Sequence, residues 1–286
     1  ADGVTMTATA VLSDAAGNVT PQATDTAKMD ITAPNGGVAV GLTIDLDFNT
    51  SNNGTSNDGN INTAELGTAT TTSLTATFDP SKVAVGDKVT FTVGSTTRVV
   101  TNAQSDIDAG KVISTGWALP ADGVTMTATA VLSDAAGNAT PQVTDTAKMD
   151  VSAPNGGQAV GLTIDLDVPA SNDGIINAAE KGTANETSLT ATFDRTKVAV
   201  GDKVTFSNGT PTKVVTLTQA MVDAGKVVDT GWALPAEGAT LTATAVLSDA
   251  SGNATPQATD TAKLDTVGPN GNNPLGLTID LDFNTS

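Results

Sequence analysis

The sequence predicts an all-β chain of tandem β-sandwich domains, and three observations predict it. Short segments alternate apolar and polar residues with a period of two, the pattern of half-buried strands. Clusters of turn-forming residues separate these segments, and no long stretch has helical periodicity. The pattern then returns: residues 1–18, ADGVTMTATAVLSDAAGN, recur unchanged at 121–138 and again as AEGATLTATAVLSDASGN at 236–253.

GLTIDLD likewise starts at residues 41, 161 and 276, so successive units are 120 and 115 residues long. Units of that length are too long for solenoid repeats and fit whole domains joined in a row. Pro34, Pro154 and Pro269, each followed by Asn-Gly, mark the boundaries. They divide the chain into the C-terminal part of a repeat (1–33), complete repeats at 34–153 and 154–268, and the first strand of a further repeat within 269–286. On this reading the chain begins and ends in mid-unit, and neither end forms a core alone. The junctions are short and contain Pro, which restricts swivelling compared with a Gly/Ser tether.

Within a unit, Leu162, Ile164 and Leu166 alternate with polar neighbours, as do Leu189, Ala191 and Phe193, and Val204 with Phe206. Val124, Met126, Ala128, Ala130 and Leu132 are expected on one face of a strand, with Thr125, Thr127 and Thr129 on the other. Turn signals stand at 200–202, 207–209, 224–225, 235–238 and 249–253. About seven strands per unit follow, which argues for a sandwich. Residues 218–224 are the one helix candidate; Gly225 stops it early, and it is read as a loop or a single turn. In the last strand, Val143, Ala147 and Met149 share a face with Asp145. A bare buried carboxylate is costly, so a bulge, an edge position or a ligand role is expected there. Pro141 fits an edge strand.

The chain has 13 basic and 31 acidic residues, a net charge of -18, which disfavours nucleic acid and anionic membranes and favours divalent cations. It has no Cys and no His. Disulfides, Cys or His nucleophiles, His bases and the usual zinc ligands are thereby excluded, and an enzyme is not expected. Aromatic residues are only 3%, so stacking surfaces for sugars or bases are scarce. No stretch approaches the length of a membrane span, direct membrane insertion is not expected, and no signal peptide opens the chain.

Against that background the segment 165–180 stands out. Asp165, Asp167, Asp173 and Glu180, with the amides Asn172 and Asn177, precede the first positive charge, Lys181. Such crowding repels itself unless a cation neutralises it. Asp173, Gly174, Ile176 and Glu180 match the second half of an EF-hand loop, D-G-x-I-x-x-x-E, in which a hard cation takes about 6 to 8 oxygens. Pro169 and Ser171 occupy the positions of the first and third EF ligands. Asp165 and Asp167 would then supply oxygens from the adjoining strand. The arrangement recurs at Asp45, Asp47, Asp58, Asn60 and Glu65, with five more residues in the loop. Calcium is the expected cofactor; the alternative is a polar loop held by Asx turns.

The order D-G-x-I-N-x-x-E, T-G-W-A-L-P, T-A-T-A-V-L-S-D-A-A-G-N, T-D-T-A-K-M-D and A-P-N-G resembles the bacterial immunoglobulin-like repeats of giant biofilm and RTX adhesins. The resemblance covers the whole chain. It implies tandem immunoglobulin-like β-sandwich domains on the surface of Gram-negative bacteria, exported by type I secretion and stiffened by calcium at or near domain junctions. Such repeats are extenders that hold a distal binding domain away from the cell. Host or substrate ligands would then belong to other domains, and the partners of these repeats would be adjacent repeats.

In an immunoglobulin-like domain the loop after the first strand lies at the same end as the C-terminus, and the last hairpin lies at the opposite end. Asp249 and Asn253 of one repeat are therefore expected near Asp45, Asp47, Asp58, Glu65 and Asp150 of the repeat before. Asp134, Asn138 and Asp265 are the corresponding candidates in the other copies; an ordinary tight turn is the alternative for the hairpin residues. Trp117 and Trp232 are expected in the core rather than as sugar platforms, and the Thr-rich faces as ordinary exposed strand. The expected function is a non-enzymatic, calcium-rigidified extender, secreted to the bacterial surface. The alternatives are a glycan- or cell-binding module and a calcium-independent spacer.

Overall fold

A computed structural model describes residues 2–48, 57–167 and 172–277. The chain divides into two compact units, Ala1–Val151 and Ser152–Ser286.

The first unit opens with an antiparallel hairpin of β1 (Thr5–Ala10) and β2 (Ala23–Lys28). The first complete repeat follows as β3 (Gly41–Ile44), β4 (Asn60–Ile61), α1 (Thr63–Leu66), β5 (Thr71–Thr77), β6 (Lys88–Val93), β7 (Thr96–Thr101), α2 (Gln104–Ala109), β8 (Lys111–Ala118), β9 (Thr125–Ser133) and β10 (Val143–Met149). A three-stranded sheet, β3-β5-β8, faces a five-stranded sheet, β4-β10-β9-β6-β7. The inward residues of both sheets merge into one core containing Ile44, Ile61, Leu74, Phe91, Trp117 and Leu132.

The second unit repeats this plan with β11 (Gly161–Ile164), β12 (Ile175–Asn177), α3 (Ala178–Lys181), β13 (Glu186–Thr192), β14 (Lys203–Ser207), β15 (Thr212–Thr216), α4 (Gln219–Ala224), β16 (Lys226–Ala233), β17 (Thr240–Ser248) and β18 (Ala258–Asp265). Its sheets are β11-β13-β16 and β12-β18-β17-β14-β15. Trp232, like Trp117, is buried in the core. The fold is all-β and immunoglobulin-like: two layers around one core per repeat, antiparallel except where β4 and β12 join. The strand expected near 276 lies outside the described residues from 278 onward.

Several expectations are corrected. Residues 219–224, read as a loop or a single turn, form a six-residue helix: the Thr218 hydroxyl accepts from Met221 N–H, and Gly225, in the left-handed region, closes it as expected. α2 is its counterpart, closed by Gly110. Ile107 and Val222 anchor these helices in the cores, so tertiary burial stabilises segments too short to be helical alone. Val124 is exposed, because the alternation starts only at Met126. The acidic loops hold a short strand each, β4 and β12, which run parallel to the last strands β10 and β18. β10 is therefore flanked on both sides at Lys148 and Met149 and is an edge only before them. Among the described residues no helix is long and apolar enough to cross a membrane.

Candidate metal centre

The acidic loop is folded by its own polar groups. In the first repeat the chain leaves β3 in a turn whose Asp47 N–H donates to Ile44 C=O. Both carboxylate oxygens of Asp47 accept from Gly59 N–H, at 3.1 and 3.3 Å. Gly59 has φ +84, a conformation L side chains rarely adopt, and so allows this approach. Asp58 Oδ1 accepts from Asn60 N–H, an Asx turn that starts β4. Asn62 then caps α1: its Oδ1 accepts from Ala64 and Glu65 N–H, while Glu65 Oε2 accepts from Asn62 N–H at 2.9 Å. This reciprocal capping box fixes Glu65 inside the loop.

The second loop is built alike. Asp167 Oδ2 accepts from Gly174 N–H, Asp173 Oδ1 from Ile175 N–H, and Asn177 forms the same capping box with Glu180. Strand pairing ties both loops to the ends of the repeats, since Lys148 N–H donates to Gly59 C=O and Lys263 N–H to Gly174 C=O, each at 2.8 Å.

After these bonds are made, three carboxylate oxygens among the described residues of the two loops remain buried with no partner: Glu65 Oε1, Glu180 Oε1 and Asp167 Oδ1. Asp47, Glu65 and Asp167 are each only 1% exposed. Burial pushes the Asp47 carboxyl up to about 6; the Gly59 N–H opposes this, and the charges of Asp58 and Asp145 add to it. Burial likewise raises Glu65, with Asn62 N–H opposing and Asp58 and Asp47 adding. Burial raises Asp167, with Gly174 N–H opposing and Asp173 and Glu180 adding. A buried, unpartnered carboxylate oxygen among like charges is an unfavourable arrangement that a hard cation reverses, and the all-oxygen donor set fits one. Among the described residues, no three carboxylates converge as a group that could hold an ion in the conformation seen.

The predicted residues divide into those the fold couples and those it does not. Asp47, Asp58 and Glu65 lie within electrostatic reach of one another, and Asp173 and Glu180 each lie within reach of Asp167. Asp45 and Asp165 turn instead to the hydroxyls of Thr75 and Thr190, at 3.0 Å in each case. Asn60 corresponds to Ile175 in the other repeat, and its amide reaches Asp58 at 3.5 Å. Asp150 and Asp265 form ion pairs with Lys148 and Lys263. Asp134 and Asn138 make a closed turn, with Asn138 Nδ2 donating to Asp134 Oδ2 at 2.8 Å, and Asp249 with Asn253 does the same. Burial raises the Asp134 carboxyl, but hydrogen bonds from Asn138, Gly137 and Ala136 outweigh it and hold the group below its usual range. Asn138 Nδ2 also donates to Asp30 C=O at 3.2 Å, so this hairpin approaches the end of the preceding repeat.

Sequence reasoning missed Asp87 and Asn62, whereas Asp145, expected to point inward, accepts from Ile44 N–H. Asp87 is buried beside Asp134 and Asp30, and burial first, then those charges, raise its carboxyl against the Ala84 N–H. Val-Gly-Asp was legible only as a turn. Its return at 200–202, where Asp202 is equally buried, is the signal that marks it. Asn62 was marked by its counterpart Asn177.

No protein-family model matches the chain, and none of the curated proteins compared with it does. Solved structures do resemble it. A Ca2+-stabilized adhesin that helps an Antarctic bacterium reach out and bind ice is 26% identical over 91% of this chain, with a TM-score of 0.38; the match spans 57% of that structure. A tetra-tandem repeat in the extending region of a large adhesion protein is 21% identical, with a TM-score of 0.36 over 91% of this chain and 56% of that one. A structure on host cell surface retention of a 1.5-MDa bacterial ice-binding adhesin is 20% identical, with a TM-score of 0.36 over 93% of this chain and 76% of that one. At TM-scores this low, the fold rests on the strand order described above.

Proposed function

We propose that this chain is a calcium-rigidified extender of a bacterial cell-surface adhesin, a secreted, non-enzymatic spacer that holds a distal binding domain away from the cell. Its repeats are taken to run from 34 to 153 and from 154 to 268, with parts of two more at the ends. Their partners are adjacent repeats of the same protein. The observation that carries the reading is the set of dry, unpartnered carboxylate oxygens on Glu65, Glu180 and Asp167. Calcium, when bound, would supply the positive charge these oxygens lack.

Asp47, Asp58 and Glu65 would hold the ion in one repeat, and Asp167, Asp173 and Glu180 in the other. The coordinating roles of Asp45, Asp165 and Asn60, and of Asp134, Asn138, Asp150, Asp249, Asn253 and Asp265 at the joints, belong to the same proposal. They require those side chains to leave their present partners. The loop lies where such an ion would matter mechanically. β4 and β12 run parallel to the last strands, so tension entering at the start of a repeat and leaving at its end loads those hydrogen bonds together. Fastening the loop fastens that pair.

Extracellular calcium modules bind at about 10⁻⁴ to 10⁻³ M. One site at about 100 times its Kd in free calcium contributes about 2.7 kcal/mol. The test is thermal unfolding of the 286-residue chain in millimolar calcium, in EDTA, and in magnesium. A large loss in EDTA, restored by calcium and poorly by magnesium, is expected. Equal midpoints in calcium and EDTA refute the calcium mechanism. A glycan-binding role has no corresponding observation, since both Trp rings are buried.

A further inference from the structure

The sequence contains five Asn-Gly pairs, and Asn53–Gly54 lies outside the described residues. The fold treats the other four differently. Asn35 Nδ2 donates to Val38 C=O and Ala39 C=O, and its Oδ1 accepts from Asp79 N–H. Asn155 makes the same three bonds, to Gln158, Ala159 and Asp194. Asn270 keeps two, from Nδ2 to Asn273 and Pro274. Asn208 stands in the hairpin between β14 and β15 with its Oδ1 unpartnered. The hydroxyl of Ser207 accepts from Gly209 N–H at 3.1 Å. In the first repeat the corresponding hairpin turns through Gly94 and Ser95 and carries no Asn.

We propose that, among the Asn-Gly pairs of the described residues, Asn208 is the preferred site of spontaneous deamidation, so that this hairpin of the second repeat acquires a carboxylate that the corresponding hairpin of the first cannot. In the first step, Gly209 N attacks Cγ of Asn208. An N–Cγ bond forms, the Cγ–Nδ2 bond breaks, and ammonia leaves with the proton lost from Gly209. Water then opens the cyclic imide at either carbonyl, giving aspartate or isoaspartate. Gly209 has no β-carbon to obstruct the attack, and Ser207 Oγ places an acceptor beside the departing proton. No hydrogen bond holds the Asn208 side chain away from the reactive geometry. At Asn35 and Asn155 three bonds must break first. The isoaspartate product lengthens the backbone by one carbon at the tip of an edge hairpin, next to the Ser207–Thr212 pair.

The test is peptide mapping by mass spectrometry of the full chain after incubation in mildly alkaline water enriched in oxygen-18. Label marks conversions that occur during the incubation. Asn208 is expected to convert at least about tenfold faster than Asn35 or Asn155, given the hydrogen bonds those two must break. Asn270 should fall between, and Asn208→Gln should abolish labelling of that peptide alone. Conversion of Asn35 or Asn155 as fast as Asn208, or an unlabelled Asn208 beside a labelled Asn270, overturns the proposal.

Discussion

The carboxylate of Asp145, in the last strand of the first complete repeat, accepts a hydrogen bond from the backbone N–H of Ile44 in the opposite sheet, at 2.8 Å. Asp260 and Ile164 form the same pair in the second repeat. The inward Asp therefore joins the first strand to the last across the sandwich, where β10 and β18 are not yet covered by β4 and β12. Replacing Asp145 with Ala leaves Ile44 N–H without its partner. A hydrogen bond to a charged group contributes about 1.5–3 kcal/mol, so Asp145→Ala and Asp260→Ala should each destabilise the repeat by that order, and Asp145→Asn by less. Denaturant unfolding measures it; shifts within error of zero for both Ala variants would refute the role.

Much of this architecture was legible from periodicity alone. The Met126-to-Leu132 face, the two core Trp and the repeat spacing all came from patterns of residue type. The acidic loop was legible as a charge problem, because Asp and Glu cluster with no Lys or Arg among them. What could not be read were features that depend on distant chain. Residues 5–10, TMTATA, are identical to 125–130, yet Met6 is 70% exposed and Met126 is 3% exposed. The difference is the second sheet and the flanking strand β6, which cover one copy and not the other. β4 was hidden because two residues paired to a strand nearly ninety positions later leave no local signature. Asp87 was hidden because its partner is distant in the chain: Asn102 N–H donates to Asp87 C=O at 2.8 Å.

Calcium should remove the pH dependence of stability that the buried loop carboxylates cause. Without a cation, Asp47 titrates near 6 in the folded chain against a usual value of 3.8, and Glu65 and Asp167 are shifted the same way. The folded state then binds more protons than the unfolded state between about pH 4 and pH 6. Stability falls as pH rises through that window. Calcium requires the ionised carboxylates, so saturating calcium should remove this loss. Unfolding midpoints of the parent and of Asp47→Asn at pH 4.5 and 7, in EDTA and in calcium, check it; a pH dependence in EDTA unchanged by the substitution would contradict the burial of Asp47.

Glu65→Gln and Glu180→Gln separate the two jobs of the loop glutamate. Gln preserves the capping bond to Asn62 or Asn177 N–H and removes a buried negative charge. In EDTA each variant should match or exceed the parent in stability. In calcium each should lose most of its own repeat's gain, about 2–3 kcal/mol at saturation. Glu65→Ala breaks the capping box as well and should cost about 1 kcal/mol even in EDTA. Isothermal titration with calcium gives an independent count. An unchanged number of sites in the double Gln variant would remove both glutamates from the coordination proposal.

Asn102 supplies a stability test free of any cation. It is 1% exposed, and both polar atoms of its side chain are buried without a partner. Its counterpart in the second repeat is Leu217, equally buried and part of that core. The two backbones agree: Asn102 and Leu217 each donate N–H to an Asp C=O, Asp87 and Asp202, and each accepts from the preceding Gly. The same pocket therefore accepts Leu at little cost in packing, whereas the Asn leaves a buried amide unsatisfied, a penalty of about 1–3 kcal/mol. Asn102→Leu should raise the first repeat's stability by that order, and Leu217→Asn should lower the second's by at least as much, since it also removes buried apolar surface. Paired denaturant melts in EDTA decide it. A destabilised Asn102→Leu would mean that the amide is held by a bound water or another group that the Leu pocket lacks, and that the two sites are not equivalent despite their matching backbones.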